Sequence, residues 1–445
     1  MKQRRERGAD TDSAGTQARA GSVFGHRAFA LFWAAQMCSA LAVQAESVTI
    51  GWQVYTIARQ TRSVEESAFL VGMVGLAQFV PLFFLSFTGG ATADRRDRRW
   101  IVVTCTCVEI VCVIALAVLS QRTSPGLVPI FAIASLFGAS RAFLSPANAA
   151  LGPMLVPQEV LPFAIARSSL GDQVGSVIGP LIGGVLCAIS PAVAYGGAGV
   201  LYGMSVGILL LMRANTQPEG AAGSHWYQIR EGIAYVWRNK IVLGAISLDL
   251  FAVLLGGATA LLPVFASDVL KVGAHGFGVL RAGPAIGAMA MAFALDRWPL
   301  KQRAGRWMFG GVGVFGVATL FFAVSRSLML SVVALVVMGA ADMISVFVRQ
   351  TLVQISTPDA MRGRVSAVCG LFIGASAELG EFETGVVARI LGPVGAAIFG
   401  GVGTLVVTGA WSRMFPVLRD ADRLERMEEH GMVCGENPMK GVEAT

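Results

Sequence analysis

Long apolar stretches, separated by short polar segments, cover almost the whole chain from Phe29 to Phe415. Each is about twenty residues long, which is enough for an α-helix to cross the roughly 30 Å hydrocarbon core of a bilayer. The pattern predicts an all-α membrane protein with twelve transmembrane helices. Their cores are Phe29–Ile57, Ser67–Gly89, Trp100–Ser120, Leu127–Ala147, Phe163–Ile189, Ala192–Met212, Ile241–Ser267, Phe277–Leu295, Gly305–Ser325, Leu328–Val348, Val365–Arg389 and Val394–Phe415.

The polar segments divide the chain into five predicted regions. Residues 1–25 are polar and predict a disordered cytoplasmic tail, and residues 416–445 form a second cytoplasmic tail. Residues 26–212 and 241–415 carry six predicted helices each, so each is expected to form one bundle. In the linker, 213–240, four large side chains recur at helical spacing and predict an amphipathic helix along the inner membrane surface, with a solvated linker as the alternative. They are Trp226, Ile229, Ile233 and Trp237.

Composition and charge agree with a membrane protein. The chain is 54% hydrophobic and only 14% charged, whereas about 25% is usual for a soluble domain. Its net charge of +7 comes from basic residues in short loops and tails, without the mixture of basic and aromatic residues that indicates an RNA-binding surface. Because the basic loops alternate with loops of low charge, we expect both termini to be cytoplasmic and the protein to lie in the inner (plasma) membrane. The pattern predicts no cleaved signal peptide and no nucleic-acid partner.

The densest cluster of charge lies between the second and third apolar stretches, in Gly90-Ala-Thr-Ala-Asp94-Arg95-Arg-Asp-Arg98-Arg99. Such a segment cannot enter hydrocarbon, so we predict a short loop at the membrane surface, where a carboxylate and guanidinium groups can pair across a gap that opens and closes. A simple marker of positive-inside topology is the alternative. The pattern Gly-x-x-x-Asp-Arg-x-x-Arg-Arg between these two helices resembles the signature loop of the major facilitator superfamily. The resemblance implies a transporter whose gating loop contains Gly90, Asp94, Arg95, Arg98 and Arg99.

An internal repeat is visible in the two halves of the chain. Asp94-Arg95 returns as Asp296-Arg297, 202 residues later, with Ala292 in place of the glycine. Pro157, after the fourth predicted helix, matches Pro358 after the tenth. A duplicated six-helix unit explains both matches and predicts two pseudo-symmetric six-helix bundles around a central cavity.

Four ionisable residues lie inside predicted spans at positions that the repeat relates to one another. Glu46 in the first span maps close to Asp249 in the seventh, and Arg141 in the fourth maps close to Asp342 in the tenth. Ionisable groups in a membrane cost several kcal/mol unless they are paired or face water, so they are functional candidates. The resemblance places these helices along the cavity. We expect Glu46 and Asp249 to be linked to protonation, and Arg141 and Asp342 to form a charge pair or to contact substrate. Locking of helices against each other is the alternative.

Other candidate chemistry is sparse. Glu378, Glu381 and Glu383 cluster in the eleventh span, but no dedicated set of oxygen ligands accompanies them, so no metal site is expected. The sequence has no nucleophile–base set and no Gly-x-x-x-x-Gly-Lys pattern for ATP, so we expect neither an enzyme nor a cofactor.

The fifth span indicates the direction of transport. It contains Gly175-Ser-Val-Ile-Gly179-Pro180-Leu-Ile-Gly183-Gly184. Glycines four apart let helices touch backbone to backbone, and proline favours a kink, so an ordinary close crossing of helices is one interpretation. The pattern also resembles the antiporter motif of proton-driven efflux members of the superfamily, which implies export.

Segments of the second half, Leu248–Phe265 and Thr357–Val365, resemble the bacterial branch that contains the enterobactin exporter. The resemblance covers roughly residues 25 to 415. One departure is Ser145, four residues after Arg141, where many drug exporters have glycine. The sequence therefore predicts a monomeric secondary transporter that exports a small amphipathic molecule, a siderophore or a drug, in exchange for protons. The alternatives are an uptake symporter and a transporter-like sensor or assembly protein without net flux.

Overall fold

The computed structural model describes residues 23–122, 126–157, 160–214, 216–217, 225–298, 300 and 302–419. The predicted tails, 1–25 and 416–445, lie mostly outside these ranges. The described chain is helical, with main helices α1 Arg27–Ala58, α2 Val64–Ala93, α3 Arg98–Ser120, α4 Leu127–Met154, α5 Leu161–Ile189, α6 Pro191–Leu211, α7 His225–Arg238, α8 Lys240–Leu255, α9 Gly273–Arg297, α10 Ala304–Val324, α11 Leu328–Ile355, α12 Asp359–Met414 and α13 Pro416–Arg419.

The predicted spans fall within these helices to within one residue, except the seventh, which runs beyond the end of α8 at Leu255. Among the described residues, ten helices are long and apolar enough to cross a membrane, and Val174–Ile189 of α5 is a shorter apolar helix. One of the ten runs over both the eleventh and the twelfth predicted spans. These two spans are separated at Gly392, whose backbone is not helical. Its φ of 74° is unfavourable for residues with a Cβ, and Pro393 after it cannot donate a helical hydrogen bond. The all-α prediction with twelve spans is thus confirmed.

Local side-chain caps explain where several helices begin. The Asp97 side chain accepts a hydrogen bond from the backbone N–H of Arg99 at the start of α3. Ser190 caps α6 through the N–H of Val193, with Pro191 at the first helical position. Asn239 accepts hydrogen bonds from Ile241 and Val242 and so begins α8. Each cap satisfies backbone donors that a helix leaves unpaired at its N-terminus.

The seventh predicted span is interrupted. The helix α8 ends at Leu255, and single turns of 3-10, α- and π-helix continue the chain from Ala258 to Val269. A Cβ on Gly257 would meet the Gly380 carbonyl oxygen of α12 at 2.8 Å, so the backbones pack too closely for a larger residue. The seventh predicted span, Ile241–Ser267, is thus one candidate span, Lys240–Val269, in which the regular α-helix stops at Leu255 before the Gly256-Gly257 pair.

The charged loop is shorter than predicted. Gly90 is buried in the last turn of α2, and Arg98 already begins α3, so that the connection itself is only Asp94–Asp97. The repeated pair Asp296-Arg297 lies exposed at the end of α9 and not in a loop. In both places the helix continues past the apolar stretch into the polar residues, which hydropathy alone does not indicate.

The described residues divide into two compact units. The first contains residues 23–63, 76–217 and 271–282, and the second contains residues 64–75, 225–270 and 283–419, apart from the gaps given above. Each unit thus includes one short segment from the other half of the sequence: 271–282 of α9 in the first unit, and 64–75 of α2 in the second. The core of the first unit is built around Phe29, Phe32 and Leu151, and one core of the second around Leu248, Met308 and Leu352.

The helix α7 belongs to the second unit. Its Val236 is buried against Val242 and Val365, and its Tyr235 hydroxyl donates a hydrogen bond to the Ser356 carbonyl at the end of α11. Trp237 is 68% exposed on another face. The linker therefore contains the predicted helix, and the apolar face of this helix packs on the second unit. The side chains of Trp226 and Ile229, two of its predicted hydrophobic residues, lie outside the described set.

Candidate functional site

Two buried carboxyl groups lie close to one arginine in the first unit. Glu46 of α1 is 1% exposed and accepts a 2.8 Å hydrogen bond from the Tyr202 hydroxyl of α6. Glu109 of α3 is fully buried and accepts a 3.4 Å hydrogen bond from Ser140 of α4. The guanidinium of Arg141 is near enough to interact electrostatically with both carboxyl groups. We call Glu46, Glu109 and Arg141 the first-unit cluster.

A close helix crossing holds Arg141 in place. Its guanidinium donates a 2.9 Å hydrogen bond to the Gln78 side chain of α2. One turn earlier on α4, a Cβ on Gly138 would overlap the backbone carbonyl oxygen of Gln78. Glycine at this position lets α2 and α4 touch backbone to backbone, which brings the two side chains within reach.

The second unit contains a buried ion pair. The Arg349 Nε of α11 lies 3.3 Å from the Asp249 Oδ1 of α8, and both side chains are at least nine-tenths buried. Asp342, seven residues before Arg349 on the same face of α11, interacts electrostatically with both groups. We call Asp249, Asp342 and Arg349 the second-unit cluster.

A small cavity opens between the two carboxyl groups of the second-unit cluster. Its volume of about 10 Å³ gives room for about one water molecule. Its walls are Asp249, Ala252, Val253, Val312, Phe315, Asp342 and Ser345.

The structure supports the internal repeat at the level of single contacts. In the first unit Gly138 lies at the crossing of α2 and α4, three residues before Arg141. In the second unit Gly339 lies at the crossing of α9 and α11, three residues before Asp342, and a Cβ there would overlap the Pro284 carbonyl oxygen. Both pairs are 201 residues apart, so the two charged residues occupy equivalent places beside equivalent crossings.

Sequence reasoning missed two members of these clusters. The tenth predicted span ends at Val348 and so leaves out Arg349, whereas α11 continues to Ile355 and buries Arg349 to 5% exposure. The spacing of seven from Asp342, which puts both on one helix face, was the available signal. Glu109 lies inside the third predicted span, but its proximity to Glu46 and Arg141 depends on how α1, α3 and α4 pack.

The signature loop is hydrogen-bonded to the end of the first six-helix segment. Thr216, buried after α6, donates a 2.5 Å hydrogen bond to Asp97 Oδ1, and its carbonyl accepts from the Arg98 N–H at 3.4 Å. The Arg98 side chain reaches the Ala93 carbonyl at 3.2 Å and also contacts the Met154 sulfur. Arg99 donates a 2.9 Å hydrogen bond to the Leu210 carbonyl of α6.

The charged tip of the signature loop is more exposed than the segment Asp97–Arg99. Asp94 and Arg95 are exposed, as are Asp296 and Arg297 at the corresponding end of α9. The loop thus has an anchored half around Asp97–Arg99 and an exposed half around Asp94–Arg95.

The glycines of the antiporter-like motif make close helix contacts. Gly175, Gly179 and Gly183 of α5 all face α1, where a Cβ on each would lie 2.6 or 2.7 Å from an atom of Ala40, Gln44 or Ala45. Pro180 is buried between them within the same helix. The spacing of four therefore marks a face on which α5 packs closely against the small side chains and backbone of α1.

The last glycine of the motif contacts a different helix. Gly184 lies against Gly278 of α9 within the first unit, so that a Cβ on Gly278 would be 2.8 Å from the Gly184 Cα. Beside this crossing, Trp52 of α1 stacks on Phe277 with ring centroids 5.4 Å apart.

An equivalent glycine contact occurs in the second unit. Gly72 of α2 lies against Gly385 of α12, where an added Cβ on either would be 2.8 or 2.9 Å from the Cα of the other. Gly385 follows Gly184 by 201 residues, so the repeat relates the two crossings. Next to it, Phe69 lies against Phe382 and under the Arg389 guanidinium, which is 5.0 Å from the ring centroid.

The three carboxylates of the eleventh predicted span, Glu378, Glu381 and Glu383, lie on α12. No group of three or more metal-ligating side chains occurs among the described residues. Glu381 packs beside Gly75 of α2, and Glu383 accepts a 3.4 Å hydrogen bond from Thr384.

Comparison with known proteins agrees with this architecture. The family model described as transmembrane secretion effector matches residues 19–433. The enterobactin exporter EntS of Shigella boydii is 25% identical over 396 residues, covering 86% of this chain and 90% of that protein, and EntS of Escherichia coli gives the same values.

Among solved structures, a peptide transporter POT superimposes with a TM-score of 0.70 at 13% identity, covering 92% of this chain and 99% of that one. The nucleoside transporter NupG gives a TM-score of 0.66 at 14% identity, covering 87% and 100%. At such identities the likeness shows a common fold, and it places no substrate.

Proposed function

Because the chain belongs to the transmembrane secretion effector family of the major facilitator superfamily, and is therefore a membrane transporter and not an enzyme, we propose that it exports a small amphipathic molecule in exchange for protons. Transport proceeds by alternating access, in which the two bundles expose a shared substrate site first to one side of the membrane and then to the other. The protein acts in the inner membrane as a monomer, with both termini in the cytoplasm.

The observation that carries the proposal is the charge balance of the two clusters. Each contains two carboxyl groups and one arginine: Glu46 and Glu109 with Arg141, and Asp249 and Asp342 with Arg349. With all groups ionised, each cluster has one negative charge in excess, and an unpaired charge in a membrane interior is expensive. One bound proton per cluster restores neutrality, which supports protons as the coupling ion.

Coupling follows if the environment of these carboxyl groups changes during the cycle. A carboxyl group releases its proton when water or an arginine reaches it, and keeps the proton when both are withdrawn. Glu46 and Asp249 are the proton-linked residues in this proposal, because they lie at equivalent places on the first helix of each bundle. Substrate that competes for the same groups makes the exchange obligatory. The membrane potential contributes on the order of 2.3 kcal/mol per charge per 100 mV.

Export is favoured over import by two features. The glycines of the antiporter-like motif in α5 pack closely against α1 and, at Gly184, against α9, which supports the resemblance to exporters. The relatives with full-length similarity are exporters of enterobactin, so a siderophore or a drug of similar amphipathic character is the substrate class that we propose.

Proton movement in proteoliposomes tests the proposal. Purified protein is reconstituted with a pH-sensitive dye inside, a pH gradient is imposed, and siderophores and lipophilic drugs are added in turn. We expect substrate-dependent proton flux from the wild type and its loss in Glu46→Gln. Glu66→Gln, at an exposed position in the first turn of α2, is the matched control and should keep the flux. Flux that is unchanged in Glu46→Gln refutes the coupling role of this residue.

A further inference from the structure

Two side chains that line the cavity in the second unit, Ser345 and Asp342, make no hydrogen bond with any described residue. The Ser345 side chain is 4% exposed and lines the cavity, and its hydroxyl makes no hydrogen bond with any described residue. The equally buried Ser376 of α12, by contrast, donates to the Ile373 carbonyl three residues earlier at 2.9 Å. The Asp342 carboxylate, which lines the same cavity, also makes no hydrogen bond among the described residues.

The size and walls of the cavity fit one water molecule. A buried water needs about 10–15 Å³ and two to four polar partners. The volume here is about 10 Å³, and Asp249, Asp342 and Ser345 supply three partners, while the remaining walls are apolar.

We propose that Asp249 and Asp342 form a carboxyl dyad that shares a single proton through one water molecule, with Ser345 as the positioning residue that holds this water. Arg349 contacts Asp249 at 3.3 Å and neutralises one of the two negative charges, so one proton completes the balance. The water lets the proton pass between the carboxyl groups without a direct contact between them.

The described residues that line the cavity add no charge besides Asp249 and Asp342. From α10 the cavity is lined by Val312 and Phe315, which do not titrate. From α12 the thiol of Cys369 is near enough to interact electrostatically with Asp249 and Arg349. The arrangement differs from the first-unit cluster, where α3 contributes Glu109 and where Arg141 occupies the place equivalent to Asp342.

The dyad proposal rests on the proposed function in one respect only, namely that the bound ion is a proton. Its test does not require a measurement of transport. Infrared difference spectra of purified protein, recorded as the pH is lowered in H2O and D2O, detect the carbonyl stretch of a protonated carboxyl group. We expect one band that disappears in both Asp249→Asn and Asp342→Asn. Either variant leaves one carboxylate to be neutralised by Arg349, so no proton is needed.

The variant Ser345→Ala should shift the frequency of this band and the pH at which it appears, because the bridging water loses a partner. Ser376→Ala removes an equally buried hydroxyl that is bonded to its own helix, and it should leave the band unchanged. The dyad is refuted if the two Asn variants remove different bands, if the two serine variants behave alike, or if sodium chloride, compared with choline chloride, abolishes the band by placing a metal ion in the cavity.

Failure of the dyad and failure of proton-coupled export can be told apart. The expected spectra together with absent substrate-dependent flux in proteoliposomes would retain the dyad and reject the coupling. Coupled flux that is insensitive to Ser345→Ala, with unchanged spectra, would retain the coupling and reject the dyad.

Discussion

Gly184 and Gly278 touch backbone to backbone, and this contact joins the antiporter-like motif of α5 to the first turns of α9 within the first unit. We expect Gly184→Ala and Gly278→Ala to reduce transport at least tenfold, because a new Cβ at either site must displace a backbone and not a flexible side chain. Overpacking of this kind also costs about 1–3 kcal/mol of stability. Substrate flux in proteoliposomes and thermal unfolding in detergent measure the two effects.

The control for these variants is an alanine at a glycine with free space. Gly203→Ala in α6 adds a methyl group that has no neighbour within 4 Å, and it should leave both flux and unfolding temperature unchanged. Equal loss of flux in Gly203→Ala and Gly184→Ala would show that the close contact has no special role.

The repeat predicts that Gly72 and Gly385 behave like Gly278 and Gly184. A Cβ on Gly72 would be 2.8 Å from the Gly385 Cα, the same distance as from a Cβ on Gly278 to the Gly184 Cα. We therefore expect Gly72→Ala to lower flux by a factor similar to that of Gly278→Ala. A tenfold loss at one crossing and normal flux at the other would show that the two contacts, although equivalent in the repeat, have different roles.

The ion pair between Arg349 and Asp249 predicts a non-additive effect on stability. Arg349→Met leaves two buried carboxyl groups without a cation, and breaking a buried pair in this way costs about 3–5 kcal/mol. Asp249→Asn in the same chain removes one of those charges and should restore much of the loss. Thermal unfolding of the two single variants and the double variant forms the test, and purely additive losses would contradict a direct pairing.

Tyr202 and Tyr195 form a matched pair for probing Glu46. Both are fully buried tyrosines of α6, but Tyr202 donates its hydrogen bond to the Glu46 carboxylate, whereas Tyr195 donates to Gln53 at 2.6 Å. A donated hydrogen bond stabilises the charged form by about 1–2 kcal/mol. Without it the carboxyl group keeps its proton to higher pH, so Tyr202→Phe should move the pH profile of flux upward.

Tyr195→Phe should lower stability by a similar amount and leave the midpoint of the pH profile in place. A profile that moves equally in both variants would mean that packing of α6, and not the bond to Glu46, sets the pH dependence.

The sequence was sufficient for the spans but not for the charge partners. Hydropathy located all twelve spans because crossing a bilayer requires about twenty apolar residues in a row. The apolar stretch of the tenth span ends before Arg349, so hydropathy does not include this residue. The helix nevertheless buries it, because the Asp249 carboxylate lies beside it. The loop was predicted too long for a related reason, as Gly90 and Arg98 remain helical although they flank a charged turn.

The anchored and exposed halves of the signature loop predict separate effects for Asp97 and Asp94. Asp97 accepts hydrogen bonds from the Arg99 N–H at 3.0 Å and from Thr216, so Asp97→Ala should lower stability by about 1 kcal/mol or more through loss of the helix cap. Asp94 is exposed beyond the end of α2, and its charge is the property that a gating role requires. Asp94→Asn should therefore leave insertion and unfolding temperature intact and reduce turnover severely. Measuring both quantities for both variants decides the matter, since a stable Asp94→Asn protein with normal flux would remove Asp94 from the gate and leave the loop with a topological role alone.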